Sequence, residues 1–257
     1  MSDYIKLDAG GAGLMHVTGD VENDIFIHKN VVQPLALHVN FAGRGNTLWI
    51  DEGCRLQGQV LFIGSNGKAR FSASGMLNVI AAVYDDGSLT WGPGCTAYQV
   101  RVWVHGGRNC TIGAGCLFSE NIHIRTSDHH SIIDLTSGEV LNHAADVIIG
   151  DRVWIGEGAR IGKGVTIGDG AIVAGSAYVS SDIPPAELWG GLPAKRLRGN
   201  VSWVDEFPAS EAAAAQMIEW INARRPAQKE AVSSPEEAGR TNLQSVGKAE
   251  KDRMQTV

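Results

Sequence analysis

Residues 149–184 read IGDRVW, IGEGAR, IGKGVT, IGDGAI, VAGSAY and VSSDIP, six hexads in one register. The first position of each hexad is Ile or Val, and the fifth is Val, Ala or Ile. A period of six fits neither an amphipathic helix nor an alternating strand. It fits short strands joined by corners, because Gly, Asp or Ser after the aliphatic residue tolerates tight turns. Three such edges close a coil of about eighteen residues, so the stretch predicts an all-β fold, a parallel β-helix of stacked coils.

The same register predicts which side chains form the core. The β-branched first-position residues are expected to point inward and to form an aliphatic ladder with their copies in neighbouring coils. The predicted ladder comprises Ile149, Ile155, Ile161, Ile167 and Val173. Upstream the hexad is less regular: it appears from Ile50, blurs through the 70s and 80s, and returns from Trp91. We therefore expect one imperfect β-helix domain over residues 48–185.

The flanks of the repeat lack the hexad. Residues 1–47 are interpreted as N-terminal strands that lead into the β-helix, because LALHVNF at 35–41 alternates apolar and polar residues. Residues 186–225 are expected to form a turn-rich C-terminal segment and a short helix over 210–225, with Ser210 as its N-cap. The apolar stripe of this helix would be Ala214, Met217, Ile218 and Ile221. Residues 226–257 are polar and charged, and we expect a disordered tail there.

Composition narrows the class of protein. The 257 residues are 44% hydrophobic and include 32 glycines, as a fold with many corners requires. The net charge of −6, without a dense Lys/Arg stripe, disfavours nucleic acid as a partner. Neither a signal peptide nor an apolar run long enough to cross a bilayer is evident, so we expect a cytoplasmic protein without a transmembrane segment.

The four cysteines are best explained as core residues. Cys54, Cys95 and Cys116 occupy the fifth position of a hexad, where the regular repeats have Val or Ala. No CxxC spacing that would indicate a metal site or a redox pair occurs around them or around Cys110. We expect small, buried, reduced side chains and no metal.

One excursion interrupts the ladder. Ile112, Phe118 and Ile124 lie six apart, and the next position in this series is His130. Residues 131–148 then carry no hexad, and the ladder restarts at Ile149. A regular solenoid does not need such an insertion, so an excursion of this length is typical of a functional loop.

The order of motifs resembles that of a known family. SDHHSI at 127–132, GDRVWIG at 150–156, IPP at 183–185 and GLPAKRLR at 191–198 are similar to the hexapeptide-repeat acyltransferases, in particular the bacterial sugar and capsular-polysaccharide O-acetyltransferases. The resemblance implies a left-handed β-helix and acetyl-CoA as the acyl donor, bound along the outside of the coils. It also implies a homotrimer with active sites between neighbouring prisms, and a histidine that activates the acceptor hydroxyl.

Two adjacent histidines are candidates for that base. A sugar hydroxyl is a weak nucleophile at neutral pH, and an imidazole with a pKa of about 6.5 suits proton removal. The family's loop has a histidine, a short residue and an aliphatic residue, which matches His130-Ser131-Ile132 better than it matches His129. Asp128 or Asp134 could orient the imidazole, and a backbone carbonyl could do so equally.

The resemblance also implies positions for the donor. Trp154 is at the outward sixth position of its hexad and matches a tryptophan that lies near the reacting groups in the family. Close approach of the pantetheine arm favours small residues, and the phosphates favour basic ones. The matching residues are Gly156, Gly175, Ser180, Lys195 and Arg198. Glu157 departs from family members that have Ser there, so a hydroxyl contact at that position is not expected.

The resulting prediction is an acetyl-CoA-dependent O-acetyltransferase acting on a saccharide hydroxyl, with a capsular or surface polysaccharide or its precursor as the acceptor. A small antibiotic and an amino-sugar nitrogen stay open as acceptors. One alternative is a zinc-dependent carbonic-anhydrase-like trimer, in which His105 and His123 stack one coil apart and His129 or His130 completes the ligand set. The other is a β-helix scaffold without catalytic activity.

Overall fold

A computed structural model of the chain describes residues 3–7, 13–20, 22–31 and 35–224. The predicted disordered tail, residues 226–257, lies outside the described residues. The described part forms strands throughout, followed by one helix. The strands are β1 Tyr4–Leu7, β2 His16–Gly19, β3 Asp24–His28, β4 Leu37–Phe41, β5 Thr47–Ile50, β6 Arg55–Phe62, β7 Lys68–Phe71, β8 Met76–Val83, β9 Ser88–Trp91, β10 Thr96–Val104, β11 Asn109–Ile112, β12 Leu117–Phe118, β13 Ile122–Arg125, β14 Val147–Ile149, β15 Trp154–Ile155, β16 Arg160–Ile161, β17 Thr166–Ile167, β18 Ile172–Val173, β19 Tyr178–Val179, β20 Glu187–Gly191 and β21 Ala194–Gly199; the helix is α1 Glu211–Arg224.

The strands pair in parallel with strands one coil away, which confirms the β-helix. β14 pairs with β17, β15 with β18, and β16 with β13 and β19, so three edges repeat in turn. Antiparallel pairs join β1 to β3 and β20 to β21, near the two ends of the stack. Parallel stacking already begins with β2 and β4, upstream of the first recognisable hexads.

The predicted ladder is confirmed residue by residue. Ile149 is in register with Ile167, Ile155 with Val173, and Ile161 with Val179, so each hexad stacks on the third hexad before it. All six side chains are buried. Burial of one such aliphatic side chain stabilises the fold by about 1.5–3 kcal/mol, and repetition along the stack makes this the main cohesive force.

The hexad blurs upstream because the strands there are longer than one edge. β10 pairs with both β12 and β13 and changes register between Ala97 and Val100, so a single strand turns a corner. The core of these coils contains packed aromatic rings beside its aliphatic residues. Ring centroids are 5.0 Å apart for Phe41 and Phe62 and 5.2 Å apart for Trp91 and Phe118.

The cysteines behave as the sequence predicts. All four are free and buried. Burial raises the pKa of the Cys54 thiol to about 11 and that of Cys110 to about 12, so both thiols stay protonated at neutral pH.

The C-terminal helix α1 begins at a capped residue and packs through two buried side chains. The Ala213 amide donates to the Ser210 hydroxyl at 3.1 Å, which confirms the N-cap. Met217 and Ile221 are buried. The predicted apolar stripe is wrong at Ala214 and at Ile218, which are both exposed. The half-buried Trp220 packs beside Met217 and Ile221 instead, because an indole covers more of the coil surface than an isoleucine does. In the described residues no helix is long and apolar enough to span a membrane.

Candidate functional site

The excursion is a hairpin loop between β13 and β14, held by hydrogen bonds within the loop and to the neighbouring coil. Its first residue, Thr126, is buried and accepts a hydrogen bond from the His105 amide at 2.8 Å, which ties the start of the loop to the coil beneath it. Further out, Ile133 and Val140 form an antiparallel bridge. Asp134 closes the tip by accepting hydrogen bonds from the next backbone amides, and these bonds lower its pKa. The loop therefore has a defined shape.

The outer side of this loop is apolar and open to solvent. Leu135 is 99% exposed, and Ile132, Ile133 and Leu141 are also exposed. Four large apolar side chains on one short hairpin are more than scattered surface residues, and such patches commonly contact another protein surface.

His130 lies at the base of the hairpin with its side chain exposed. Its carbonyl accepts a hydrogen bond from the Asn142 side chain at 2.8 Å, and the Ile132 amide donates to the same side chain at 2.6 Å. Asn142 thus holds the backbone on both sides of His130 while the imidazole stays accessible. Sequence reasoning missed Asn142, because no motif marks an asparagine twelve residues further along the loop.

Asp128 belongs to the same network. It forms an ion pair with Lys163 and accepts a hydrogen bond from Asn142 at 2.8 Å, and these two contacts lower its pKa. Lys163 also donates to the Asn142 carbonyl at 2.9 Å. Within the described chain neither Asp128 nor Asp134 hydrogen-bonds to His130. Asp128 fixes the loop and does not contact the imidazole directly.

His129 has a different environment from its neighbour. Its backbone is left-handed, with φ 66°, and its amide donates to the Ser127 hydroxyl at 2.9 Å. The ring packs against Trp103, Tyr84 and His105, with ring centroids 5.3, 5.4 and 5.8 Å away. Its Nε2 is buried and lacks a hydrogen-bond partner among the described residues. Burial, and then the nearby Arg125, lower the pKa of His129, so its ring is a neutral packing element.

Trp154 faces outward, as predicted for a sixth position. It is 37% exposed, whereas the next residue, Ile155, is buried. In the register of the coils Trp154 is followed by Ile172, Leu188 and Arg198. Each step is about 4.8 Å, so an apolar column of about 14 Å leads from the indole to a guanidinium.

A second tryptophan supports the first. The Trp203 ring lies 6.2 Å from the Trp154 ring, centroid to centroid, and its Nε1 donates to the Arg152 carbonyl at 2.6 Å. The Arg152 guanidinium lies over the Trp203 ring at 5.6 Å. Trp203 is outside the repeat, so no sequence pattern connected it to the site.

The other residues that the sequence predicts to contact the acyl donor differ in their exposure to solvent. Gly156 is buried, and a Cβ there would lie 2.6 Å from the Gly175 nitrogen, so coil stacking itself requires this glycine. Gly175, Ser180, Lys195 and Arg198 are exposed. In the part of the chain that is described, no hydrogen bond or ring contact joins Trp154 to His129 or His130. His130 lies in the loop after β13 and Trp154 on β15, so the two candidates belong to different edges of the coils.

The described residues offer no set of ligands for the zinc site of the carbonic-anhydrase-like alternative. Three His, Cys, Asp or Glu side chains suitable for a metal ion do not come together anywhere in the described residues. The expected stacking of His105 on His123 is wrong, because Arg101 is the register partner of His123. Register partners in this coil are 22 residues apart, as Arg101 and His123 are, so two residues eighteen apart do not stack here.

Residues 146–181 match the family model described as bacterial transferase hexapeptide, six repeats. Over these residues the chain is similar to this family, in agreement with the stacked coils of the structure.

Two curated relatives are polysialic acid O-acetyltransferases. The protein from Neisseria meningitidis is 28% identical over 122 residues, which is 47% of this chain and 57% of the relative. The protein from Escherichia coli O1:K1 / APEC is 41% identical over 95 residues, 37% of this chain and 31% of the relative. The chain thus matches less than two thirds of the length of either relative.

Solved structures extend the similarity over most of the fold. The polysialic-acid-specific acetyltransferase NeuO superposes with a TM-score of 0.67 at 25% identity, covering 77% of this chain and 92% of NeuO. The polysialic acid O-acetyltransferase OatWY superposes with a TM-score of 0.61 at 22% identity, covering 77% and 90%, and supports the fold alone.

Proposed function

We propose that this chain is an acetyl-CoA-dependent O-acetyltransferase that transfers an acetyl group directly to a hydroxyl of a polysaccharide, such as a capsular or surface polymer or its precursor. The observation that carries the proposal is the exposed His130 side chain, on a loop whose backbone Asn142 holds, directly before the coils that match the transferase repeat. The curated relatives named above act on a polysaccharide, and this acceptor class is taken from them.

His130 is the general base in this proposal. Its imidazole removes the proton of the acceptor hydroxyl as the oxygen attacks the thioester carbonyl of acetyl-CoA. The tetrahedral intermediate then collapses, the carbon–sulfur bond breaks, and the imidazolium returns the proton to the departing CoA thiolate. Such general-base assistance accelerates a reaction by roughly 10²–10⁴-fold.

The acyl donor lies along the Trp154 column. The apolar stretch of Trp154, Ile172 and Leu188 suits the pantetheine arm. The exposed Arg198 at its end suits the phosphates, with the exposed Lys195 three residues earlier on the same strand. This assignment accounts for the order of groups along the column, with apolar contacts first and positive charge last.

The active unit is a homotrimer with sites between neighbouring chains. Within the described residues no hydrogen bond or ring contact joins His130 to Trp154, and a second copy can place its own Trp154 column beside His130. The exposed apolar hairpin tip at Ile132, Ile133 and Leu135 is available to contact that copy.

A thiol-release assay tests the proposal. Purified protein with acetyl-CoA is expected to release CoA thiol in the presence of a polysaccharide from a panel of polysialic acid, neutral bacterial polysaccharides, maltose and amino sugars. His143→Ala, which removes an exposed histidine from the same loop, is the matched control for His130→Ala and is expected to keep its activity. Absence of both thiol release and acetyl-CoA binding would instead favour the non-catalytic scaffold.

A further inference from the structure

Two outward columns of side chains run along the face built by β10, β13, β16 and β19. The first column contains Arg101, His123, Arg160 and Tyr178, in register from coil to coil. The second contains Trp103 and Arg125. Arg101 and Arg160 are separated by two strand spacings, about 10 Å, with His123 between them.

The positive charges of these arginines are not neutralised by ion pairs, unlike those of several other basic residues in the described part of the chain. Arg70, Lys163 and Arg196 each pair with a carboxylate. By contrast, none of the described carboxylates forms an ion pair with Arg101, Arg125 or Arg160. Followed back to β2, neither column contains an acidic residue at any register position; the residues are His16, His38, Gln59 and Ile80 in the first, and Thr18, Asn40, Leu61 and Ala82 in the second.

The arginines lie close enough to affect a common neighbour. Burial, and then the positive charges of Arg101, Arg125 and Arg160, lower the pKa of His123. Like charges concentrated on one face of an acidic protein raise the free energy of the empty surface, and an anion bound there would relieve this repulsion.

Aromatic rings accompany the charges. The Arg125 guanidinium lies 4.0 Å from the centre of the Trp103 ring, and Tyr178 is exposed at the far end of the first column. Guanidinium groups bind carboxylates, and aromatic faces pack against sugar rings. Arg125 is also the last residue of β13, directly before the loop that carries His130. The face is therefore continuous with the candidate active site.

We propose that this Arg101–Tyr178 face is the binding track for an acidic polysaccharide, a polymer of carboxylate-bearing sugars, which it guides toward His130. The inference rests on the proposed function and deepens it, because it names the charge of the acceptor and the residues that select it. The two columns extend over several coils, so the track contacts several consecutive sugars and selects a polymer over a monosaccharide.

Direct binding tests the track without requiring turnover. Fluorescently labelled polysialic acid and polygalacturonic acid are titrated with the full-length protein, and binding is followed by anisotropy, with labelled dextran as the neutral polymer. Both acidic polymers are expected to bind more tightly than dextran, and their affinity is expected to fall as salt is added. The double variant Arg101→Gln/Arg160→Gln is expected to weaken acidic-polymer binding by about tenfold or more.

The variant Arg55→Gln/Arg108→Gln is the matched control. It removes the same charge from two exposed arginines outside the track and is expected to change polymer affinity by less than about twofold. Unchanged polymer binding by Arg101→Gln/Arg160→Gln, or equally tight binding of dextran, overturns the proposal.

Two further measurements exclude other occupants of the face. A rise in the KM for acetyl-CoA in Arg101→Gln/Arg160→Gln, with polymer affinity unchanged, would assign the arginines to the donor phosphates. A changed oligomeric state of that variant by light scattering would assign the face to a contact between copies. Polymer binding without thiol release from any acceptor would retain the track and reject the acetyltransferase activity, so the two failures are distinguishable.

Discussion

His129 and His130 are adjacent residues of one type, yet their surroundings give them different properties. His129 has a left-handed backbone and packs its ring against Tyr84 and Trp103, whereas the His130 side chain points to solvent. A base must reach the acceptor hydroxyl before its pKa becomes relevant. Accessibility therefore favours His130, in agreement with the His-Ser-Ile motif.

Replacing His130 tests this assignment. In His130→Ala, turnover is expected to fall by roughly 10²–10⁴-fold, because proton removal from the hydroxyl is lost. The KM for acetyl-CoA is expected to stay nearly constant, because the donor contacts lie on the Trp154 column. Steady-state kinetics with the acceptor found in the thiol-release assay provide both numbers.

His129→Ala serves as the comparison and is expected to have a milder effect on turnover. Loss of activity in His129→Ala together with full activity in His130→Ala would assign the general base to His129. Full activity in both variants would mean that the loop supplies no base.

The half-buried ring of His129 makes stability depend on pH. Its pKa is lowered in the folded state, so below pH of about 6.5 the unfolded chain takes up a proton that the folded chain resists. The stabilisation is complete above that pH and is lost as the pH falls; His123 acts with the same sign.

Urea unfolding at pH of about 7.5 and about 5.5 measures this loss. His129→Asn removes the titrating ring with a residue that tolerates the left-handed backbone, and it should show a smaller decrease in unfolding free energy between the two pH values. An equal decrease in the wild-type chain and in His129→Asn would contradict the assignment.

At the scale of elements, the C-terminal segment and the coils form one surface. Trp203 packs against Trp154 and is fixed by its hydrogen bond to the Arg152 carbonyl, while Trp220 of α1 lies on the other side of Arg152. The segment after β21 therefore helps to position a side chain on β15.

Replacing Trp203 by Phe is expected to raise the KM for acetyl-CoA by about threefold with little change in kcat, because the ring that supports Trp154 loses its anchor. Trp220→Phe is the control, since Trp220 contacts Arg152 and has no ring contact with Trp154 in the described chain. If both variants unfold at similar urea concentrations but only Trp203→Phe changes the KM, the role of Trp203 is positional. Equal KM values in both would remove that role.

At the scale of the whole molecule, the separation of His130 from the Trp154 column has a consequence for assembly. If each site takes His130 from one chain and Trp154 from its neighbour, two inactive variants can complement each other. His130→Ala and Trp154→Ala, co-expressed in equal amounts, should form mixed trimers in which about a quarter of the sites are intact.

Thiol release by the co-purified mixture, compared with each variant alone, measures this recovery. Light scattering on the same samples gives the oligomeric state. A monomer at micromolar concentration, or a mixture with no more activity than its components, would exclude a site shared between chains.

Residues 149–184 alone were sufficient to predict the inward ladder of the coils that they form. Each hexad has its own inward residue and its own corner, so the ladder from Ile149 to Val173 depends only on local sequence and follows directly from the hexad register. The N-cap at Ser210 is local in the same sense. The loop at His130 was visible because it breaks a regular pattern.

Only the tertiary structure could decide which residues meet across coils. Upstream strands such as β10 turn corners without a hexad, and the excursion after β13 changes the spacing between coils, so no constant offset connects Arg101, His123 and Arg160. Three further contacts likewise join residues without a common repeat. They are the packing of His129 against His105, the contact of Trp203 with Trp154, and the hydrogen bond from Asn142 to the His130 carbonyl. A repeating sequence pattern predicts contacts between residues that are a fixed number of positions apart. The residues in these contacts are not a constant number of positions apart, so the pattern could not predict them.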